Sequence, residues 1–185
     1  MRIISGILGG KSIKYIKSST TRPLKDSVKE NIFNILTHSN VLNINLSKAN
    51  VLDLYSGVGS FGIECISRGA NNVVFVENDK TAFEIIDKNL TSLSIHNKAK
   101  IINNKIDEYL KTSIKKKFEI IFFDPPFADN HYIGELKLIK NKKIFSKKHV
   151  VIVHRERKAN DNFENILDPI LIKSYGRSKI IFGKF

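Results

Sequence analysis

Apolar positions change their spacing near residue 50, and that change divides the chain into two kinds of segment. Before it, Met1–Leu8 and Lys11–Lys17 flank Gly9-Gly10, with Ile13 and Tyr15 alternating with Ser12 and Lys14, a pattern that predicts a β-hairpin. A polar loop, 18–23, follows. Val28, Ile32, Ile35 and Leu36 then recur at helical spacing, and Ser27 with Glu30 has the spacing of a capping box, so a helix is expected here. Residues 38–50 are polar and irregular and read as a connection. Beyond it, short apolar runs alternate with helical patterns. Strands are predicted at Val51–Leu54, Val73–Val76, Lys100–Ile102, Phe118–Phe123 and His149–Val153, and helices at Phe61–Arg68 and Lys80–Leu93. Pro169–Lys173 and Lys179–Phe182, on either side of Tyr175-Gly176, predict a closing hairpin. Strands that alternate with helices imply a mostly parallel, doubly wound α/β sheet, because parallel neighbours need crossover connections. Phe118–Phe123 is the most apolar strand and is expected at the centre, covered on both faces.

Length changes little in this picture: 185 residues suit one α/β domain with a modest extension. No apolar run is long enough to span a bilayer, and the start of the chain reads as mature protein because Ser5, Gly6, Gly9 and Gly10 interrupt its apolar stretch. The single cysteine, Cys65, fits a reducing cytoplasm and reads as a small core residue; the histidines show no zinc-type spacing. Charge changes more. The formal net charge is +13, and its distribution is uneven: residues 1–50 carry eight basic and two acidic side chains, residues 51–100 five and six. Codon bias toward lysine, isoleucine and asparagine accounts for lysine abundance but not for its placement. A basic N-terminal arm (Lys11, Lys14, Lys17, Arg22 and Lys25) therefore points to nucleic-acid phosphate.

Two segments carry chemistry. The first, Val51-Leu-Asp53-Leu-Tyr55-Ser-Gly57-Val-Gly59-Ser-Phe-Gly62, closes a strand and opens a helix, and its glycines let backbone approach a ligand closely. The glycine pattern alone fits a nicotinamide dinucleotide as well, with Glu77 as the ribose acceptor. Asp53 at the strand end argues otherwise, since a carboxylate suits the cationic amino-acid end of S-adenosylmethionine better than a pyrophosphate. The second segment is Asp124-Pro125-Pro126-Phe127, directly after the predicted central strand. Its prolines fix φ and remove two donors, so their carbonyls are expected to point outward as unpaired acceptors. The Asp124 carboxylate and a proline carbonyl would then orient the two hydrogens of a base amino group, and Phe127 would stack on the base.

Together, Asp53-x-x-x-Gly57-x-Gly59 and Asp124-Pro-Pro-Phe127 resemble the Rossmann-like methyltransferases that modify amino nitrogens. Within these the chain is similar to the RsmD family of 16S rRNA guanine-N2 methyltransferases. The likeness runs through Met1-Arg-Ile-Ile-Ser-Gly6, Thr21-Arg22-Pro23 with Val28, Glu30 and Phe33-Asn34, Ser67-Arg68-Gly69-Ala70 and Tyr175-Gly176-Arg177. The resemblance implies a seven-stranded sheet with a small N-terminal extension (residues 1–45, contacting RNA) before a methyltransferase domain (46–185). It also implies S-adenosylmethionine as cofactor, no metal, and a guanine of 16S rRNA in an assembling small subunit as substrate, with the enzyme acting as a monomer. The catalytic set would be Asp124, Pro125, Pro126 and Phe127, and the cofactor set Asp53, Tyr55, Gly57, Gly59, Gly62, Glu77, Asn78 and Ile106. Leu24, Ser27 and Lys29 stand where the family carries threonine, arginine and arginine. Lys105-Ile106 replaces an acidic-or-amide then alanine pair beside the adenine. The alternatives are a DNA adenine-N6 methyltransferase, opposed by the Thr-Arg-Pro arm and the lack of a target-recognition domain, and a non-catalytic RNA-binding protein on the same scaffold, opposed by intact Asp53, Glu77 and Asp124. His154, Arg155 and Arg157, after the fifth strand, read as a solvated strand end or as phosphate contacts.

Overall fold

The computed structural model describes residues 1–16 and 24–185. Its elements run α1 (Asp26–His38), β1 (Asn50–Leu54), α2 (Ser60–Ser67), β2 (Asn72–Glu77), α3 (Lys80–Leu93), β3 (Ala99–Asn103), α4 (Ile106–Lys111), β4 (Phe118–Phe123), α5 (Tyr132–Lys142), β5 (Phe145–Glu156), β6 (Asp168–Tyr175) and β7 (Ser178–Lys184). The seven strands form one sheet in the order β3-β2-β1-β4-β5-β7-β6. β1 to β5 pair in parallel, and β7 runs antiparallel between β5 and β6. The mostly parallel doubly wound fold is therefore as expected, with β4 at the centre. The strand order reverses between β1 and β4, and in an open α/β sheet the crevice at such a switch point is where ligands bind.

Apolar clusters cover both faces of the sheet. One joins α1, α2 and α3 to alternate residues of β1, β2 and β4, and the other joins α4 and α5 to the opposite alternation. Gly62 lies inside α2 against the Phe75 ring, where an added Cβ would come within 2.3 Å of a ring carbon, so the close seating of α2 on β2 requires glycine here. α5 was not anticipated. It buries Tyr132, Leu136 and Ile139 at helical spacing.

The N-terminal segment forms the expected hairpin only at its root. Arg2 and Ser12 form an antiparallel bridge, flanked by hydrogen bonds from Ile3 N–H to Lys11 O (2.9 Å) and from Ile13 N–H to Met1 O (3.1 Å), without longer strands on either side. The backbone amides of Ile4 and Ser5 donate to the buried Glu64 carboxylate, at 2.7 and 3.0 Å, instead of to a partner strand. Gly6, at φ +83°, turns the chain against Ser67. The segment thus wraps the end of α2. Lys17 and Arg22 lie outside the described residues, as do Thr21 and Pro23. The capping box is also absent. Lys25 is the N-cap of α1, without a side-chain cap, and Ser27 sits within the helix. Lys29 is buried instead: its ammonium donates to the Arg2 carbonyl at 2.9 Å and to Ser60 Oγ at 3.1 Å, tying α1, α2 and the N-terminal segment together.

Candidate active site

The ends of β1 and β4 lie side by side, Asp53 opposite Phe122 and Leu54 opposite Phe123, so Asp53 and Asp124 emerge at one edge. A cavity of about 300 Å³ opens there, lined by Asp53, Tyr55, Ser56, Gly57, Phe61, Phe122, Asp124, Pro125, Pro126, Phe127 and His154, with Met1, Tyr15, Ile16 and Leu24 closing one side. A second cavity, of about 650 Å³, lies beyond Tyr55. Its walls include Glu77, Asn78, Lys105, Ile106, Asp107, Asp129 and Glu135. Tyr55 is shared by both, and its backbone is left-handed at φ +57°, a conformation rare outside glycine.

The predicted cofactor residues fall into three groups. Asp53, Tyr55 and Gly57 face the first cavity, while Glu77, Asn78 and Ile106 face the second. Gly59 and Gly62 face neither: Gly59, at φ +82°, makes the turn into α2, and Gly62 provides its packing. Asp53 is buried, and Oδ2 accepts the Gly62 N–H at 2.9 Å. Burial pushes its carboxyl well above the usual range against that hydrogen bond, with repulsion from Asp124 and Glu77 adding to the rise. Glu77 accepts the amides of Gly57 (2.7 Å) and Asp79 (2.8 Å); burial nevertheless raises its carboxyl. Three carboxyl groups gathered at one sheet edge are the electrostatic complement of a cationic ligand, and a sulfonium with an ammonium group fits them. In the second cavity, the Tyr55 hydroxyl lies within hydrogen-bond distance of Glu135 (2.9 Å) and Asp129 (3.2 Å), with one hydrogen to share between them. Burial is the main cause that raises Glu135 to about 7.

The tetrapeptide differs from expectation in one respect. Its carbonyls are not all unpaired. Pro126 O accepts from Asp129 N at 2.8 Å and Arg155 Nη1 at 3.2 Å, and Phe127 O accepts from Arg155 Nη2 at 3.3 Å. Among the described residues no hydrogen bond reaches the Pro125 carbonyl, so this proline keeps an open acceptor beside Asp124. Arg155 is no solvated strand end either. It is buried, pairs with Asp161 at 2.9 Å and stacks over Tyr132 at 4.5 Å. Its planar fork holds the tetrapeptide by the carbonyls of Pro126 and Phe127. Tyr132 and Lys179 complete the Asp161 cluster, at 2.6 and 3.0 Å. Burial alone would raise the Asp161 carboxyl, but hydrogen bonds from Tyr132, Lys179 and Arg155 outweigh it and hold the group below its ordinary value.

His154 is the second residue missed. Val153 pairs with Phe123, so the next residue on each strand meets across the rung, and His154 Nδ1 lies 2.7 Å from Asp124 Oδ1. The signal lay in the sequence: His154 and Arg155 directly continue an apolar strand, but only the β4–β5 register brings them to the tetrapeptide. Of the arm residues, Lys11, Lys14 and Lys25 are exposed. Cys65 is buried and free in α2, as expected of a core residue.

A glycine-rich turn and an Asp-Pro-Pro-Phe loop at the switch point of a seven-stranded doubly wound sheet define an S-adenosylmethionine-dependent methyltransferase. The comparisons agree. A family model described as conserved hypothetical protein 95 matches residues 1–184. The Bacillus subtilis protein YlbH is 31% identical over 161 residues, spanning 86% of this chain and 84% of its own. The ribosomal RNA small subunit methyltransferase D of Buchnera aphidicola is 31% identical over 158 residues, or 85% and 79%. The solved Escherichia coli structure of yhhF superposes with a TM-score of 0.84 at 23% identity, covering 99% of this chain and 96% of that one. The chain belongs to the RsmD family of methyltransferases.

Proposed function

We propose that the enzyme methylates the exocyclic N2 of a guanine in 16S rRNA of the small ribosomal subunit, acting as a monomer on an assembling subunit in the cytoplasm. One observation carries the choice of an amino nitrogen. Asp124, held at Oδ1 by His154, keeps Oδ2 without a hydrogen-bond partner among the described residues, beside the open Pro125 carbonyl. Two such acceptors match the two N–H bonds of a base amino group and leave its nitrogen lone pair turned toward the incoming methyl. S-adenosylmethionine, when bound, supplies the electrophilic methyl carbon, which the nitrogen takes as the sulfur–carbon bond breaks.

The residues of this chain bind, orient and neutralise. Asp53, Tyr55 and Gly57 would hold the methionine portion, and Glu77, Asn78 and Ile106 the adenosine. Asp124 compensates the positive charge that develops on the amino nitrogen and takes up its proton, while Phe127 offers the base a face. Lys11, Lys14, Lys17, Arg22 and Lys25 would bind RNA phosphate. The relatives named as small-subunit RNA methyltransferases support ribosomal RNA over DNA. The test is to map methylated guanines in small-subunit RNA incubated with wild-type protein or with Asp124→Ala. One N2-methylguanine is expected with wild type, and at least a ~100-fold slower reaction with the variant, whose cofactor binding is largely spared. Methylation at adenine, or near-wild-type turnover without the carboxylate, defeats the reading.

A further inference from the structure

Three short runs of lysine meet at the end of the sheet opposite the active site. Residues 112–117 lead into β4, and residues 140–148 end α5 and begin β5; together they hold eight lysines and no acidic residue. Parallel pairing of the two strands sets these segments side by side, with the Phe118 N–H donating to the Ile144 carbonyl at 3.1 Å. Two of the lysines tie them together. Lys142 Nζ donates to the Thr112 carbonyl at 3.0 Å, and Lys117 Nζ to the Lys143 carbonyl. Lys115, Lys116, Lys143, Lys147 and Lys148 are exposed, and among the described residues their ammonium groups have neither a hydrogen bond nor an ion pair. The next acidic residue, Glu119, is already occupied by the Asn50 N–H at 2.7 Å and by the Ser146 hydroxyl. A helix C-terminus attracts cations, which accounts for Lys140 and Lys142 in the last turn of α5. It does not account for Lys115, Lys116, Lys147 and Lys148, which lie outside that helix. Unpaired like charges gathered on one surface repel each other, so this face gains from a partner with several negative charges.

We infer that this basic face is a second RNA-binding surface, gripping the phosphate backbone of the ribosomal RNA at a segment remote from the target base. The identity of the partner rests on the proposed function, which the inference extends. A membrane-seated element or the core of a protein interface buries apolar side chains. The exposed large apolar residues of the described chain are Ile7, Tyr15, Val41 and Ile172, and none lies in these two segments. What the face presents is chiefly ammonium groups, the complement of phosphate. Its place in the fold sets the geometry. β4 runs from this face at Phe118 to Phe123, next to Asp124, so the two surfaces lie about 17 Å or more apart at about 3.3 Å per strand residue. An RNA that touches both must be folded so that two of its segments reach opposite ends of the domain. Phosphate contacts carry no sequence information, so the face contributes affinity and orientation while the cavity selects the base.

The test compares two triple variants that remove the same charge. One carries Lys115→Gln, Lys116→Gln and Lys148→Gln on this face; the other carries Lys80→Gln, Lys88→Gln and Lys137→Gln, exposed on α3 and α5. Binding to a 16S rRNA transcript is measured by filter retention from about 50 to 200 mM salt, the range over which phosphate contacts dominate the change in affinity. The face variant is expected to bind about 10-fold or more weakly at the low end. Its slope of log affinity against log salt should fall by about 2, at about 0.7 for each lost phosphate contact. The scattered variant should show less than half of either effect. On small-subunit substrate the face variant should raise KM and keep kcat, because none of its altered side chains borders either cavity. Arginine at the same three positions keeps the charge and should restore binding. Calorimetric titration with S-adenosylmethionine confirms that each variant is folded. Equal losses in the two glutamine variants, or an unchanged slope in the face variant, overturn the inference. So does capture of wild type by phosphatidylserine vesicles that the face variant abolishes while its RNA affinity stays intact. A wild-type protein that binds no 16S transcript at any salt defeats the functional reading beneath, and the two failures are distinct.

Discussion

Arg155 gives the strongest test of how the catalytic loop is held. Its guanidinium donates to the Asp161 carboxylate at 2.9 Å and to the carbonyls of Pro126 and Phe127 at 3.2 and 3.3 Å. Both ion-pair side chains are nearly inaccessible, at 2% and 3% exposure. Arg155→Met keeps the packing volume but leaves Asp161 buried with only Lys179 and Tyr132, and strips two carbonyls of a donor. Removing one partner of a buried pair costs about 3–5 kcal/mol. Lys179 remains beside Asp161, so the lower end applies, roughly 3 kcal/mol. For a chain of this size that lowers the melting midpoint by about 10 °C, taking 2–4 °C per kcal/mol. Arg155→Lys restores the charge without the planar fork and should recover only part of the loss. Urea titrations followed by circular dichroism give the stability, and turnover measured well below the midpoint gives the effect on the loop, expected at about 10-fold or more for one lost positioning contact. A Met variant within 1 kcal/mol of wild type, with full turnover, would refute the claim that this cluster anchors the tetrapeptide.

Other outcomes follow from the two cavities and the arm. Glu77→Ala should weaken S-adenosylmethionine by roughly 1–3 kcal/mol, the worth of a lost hydrogen bond to a charged group, as read by calorimetry; tight binding of a nicotinamide dinucleotide instead would overturn the assignment of the site. Glu135 rises from 4.5 to about 7 on folding, chiefly through burial, so the folded chain holds its proton where the unfolded chain does not. Its contribution to stability is complete below about 4.5 and is lost as pH rises through 7. Glu135→Gln should therefore gain on wild type between pH 5 and 8 in urea midpoints, and a constant difference would contradict the shift. Neutralising Lys11, Lys14 and Lys25 together should weaken RNA binding and flatten its salt dependence with cofactor affinity unchanged, whereas an unchanged slope would make the arm a structural extension only.

Much of this architecture was legible because it rests on local pattern. Apolar runs of strand length alternated with helical spacing, and Lys80–Leu93 and Phe118–Phe123 have the same limits in the structure as in the sequence reading. Asp53 and Asp124 could be placed at strand ends, which the strand order then made neighbours. What stayed hidden depended on distant partners. The N-terminal hairpin is paired only at its root, residues 1–3 against 10–13, and beyond that Glu64, some sixty residues away, takes the amides of Ile4 and Ser5. The α5 stripe of Tyr132, Leu136 and Ile139 is diluted by Gly134 and several lysines. Lys29 shares the buried face of α1 with Ile32, Phe33 and Leu36, and its buried ammonium is tolerable because carbonyl and hydroxyl acceptors from other segments meet it and the Asp26 carboxylate lies 3.7 Å away. Burial lowers its pKa, against the pull of Glu64 and Asp26.

The antiparallel hairpin that ends the sheet bears on whether copies of the chain stay apart. With β7 inserted beside β5, the outermost strand is β6, whose open side could template a strand from another molecule. That side carries its own obstacles. Pro169 lacks an N–H, the register slips between Pro169 and Leu171, and Lys173 is exposed further along. These features interrupt any continuous row of donors and acceptors and place charge where a second strand would dock, even though Ile172 is 54% exposed. At this end of the sheet the last strand is built to stop further pairing, which hinders edge-to-edge association there, while β3 forms the opposite edge.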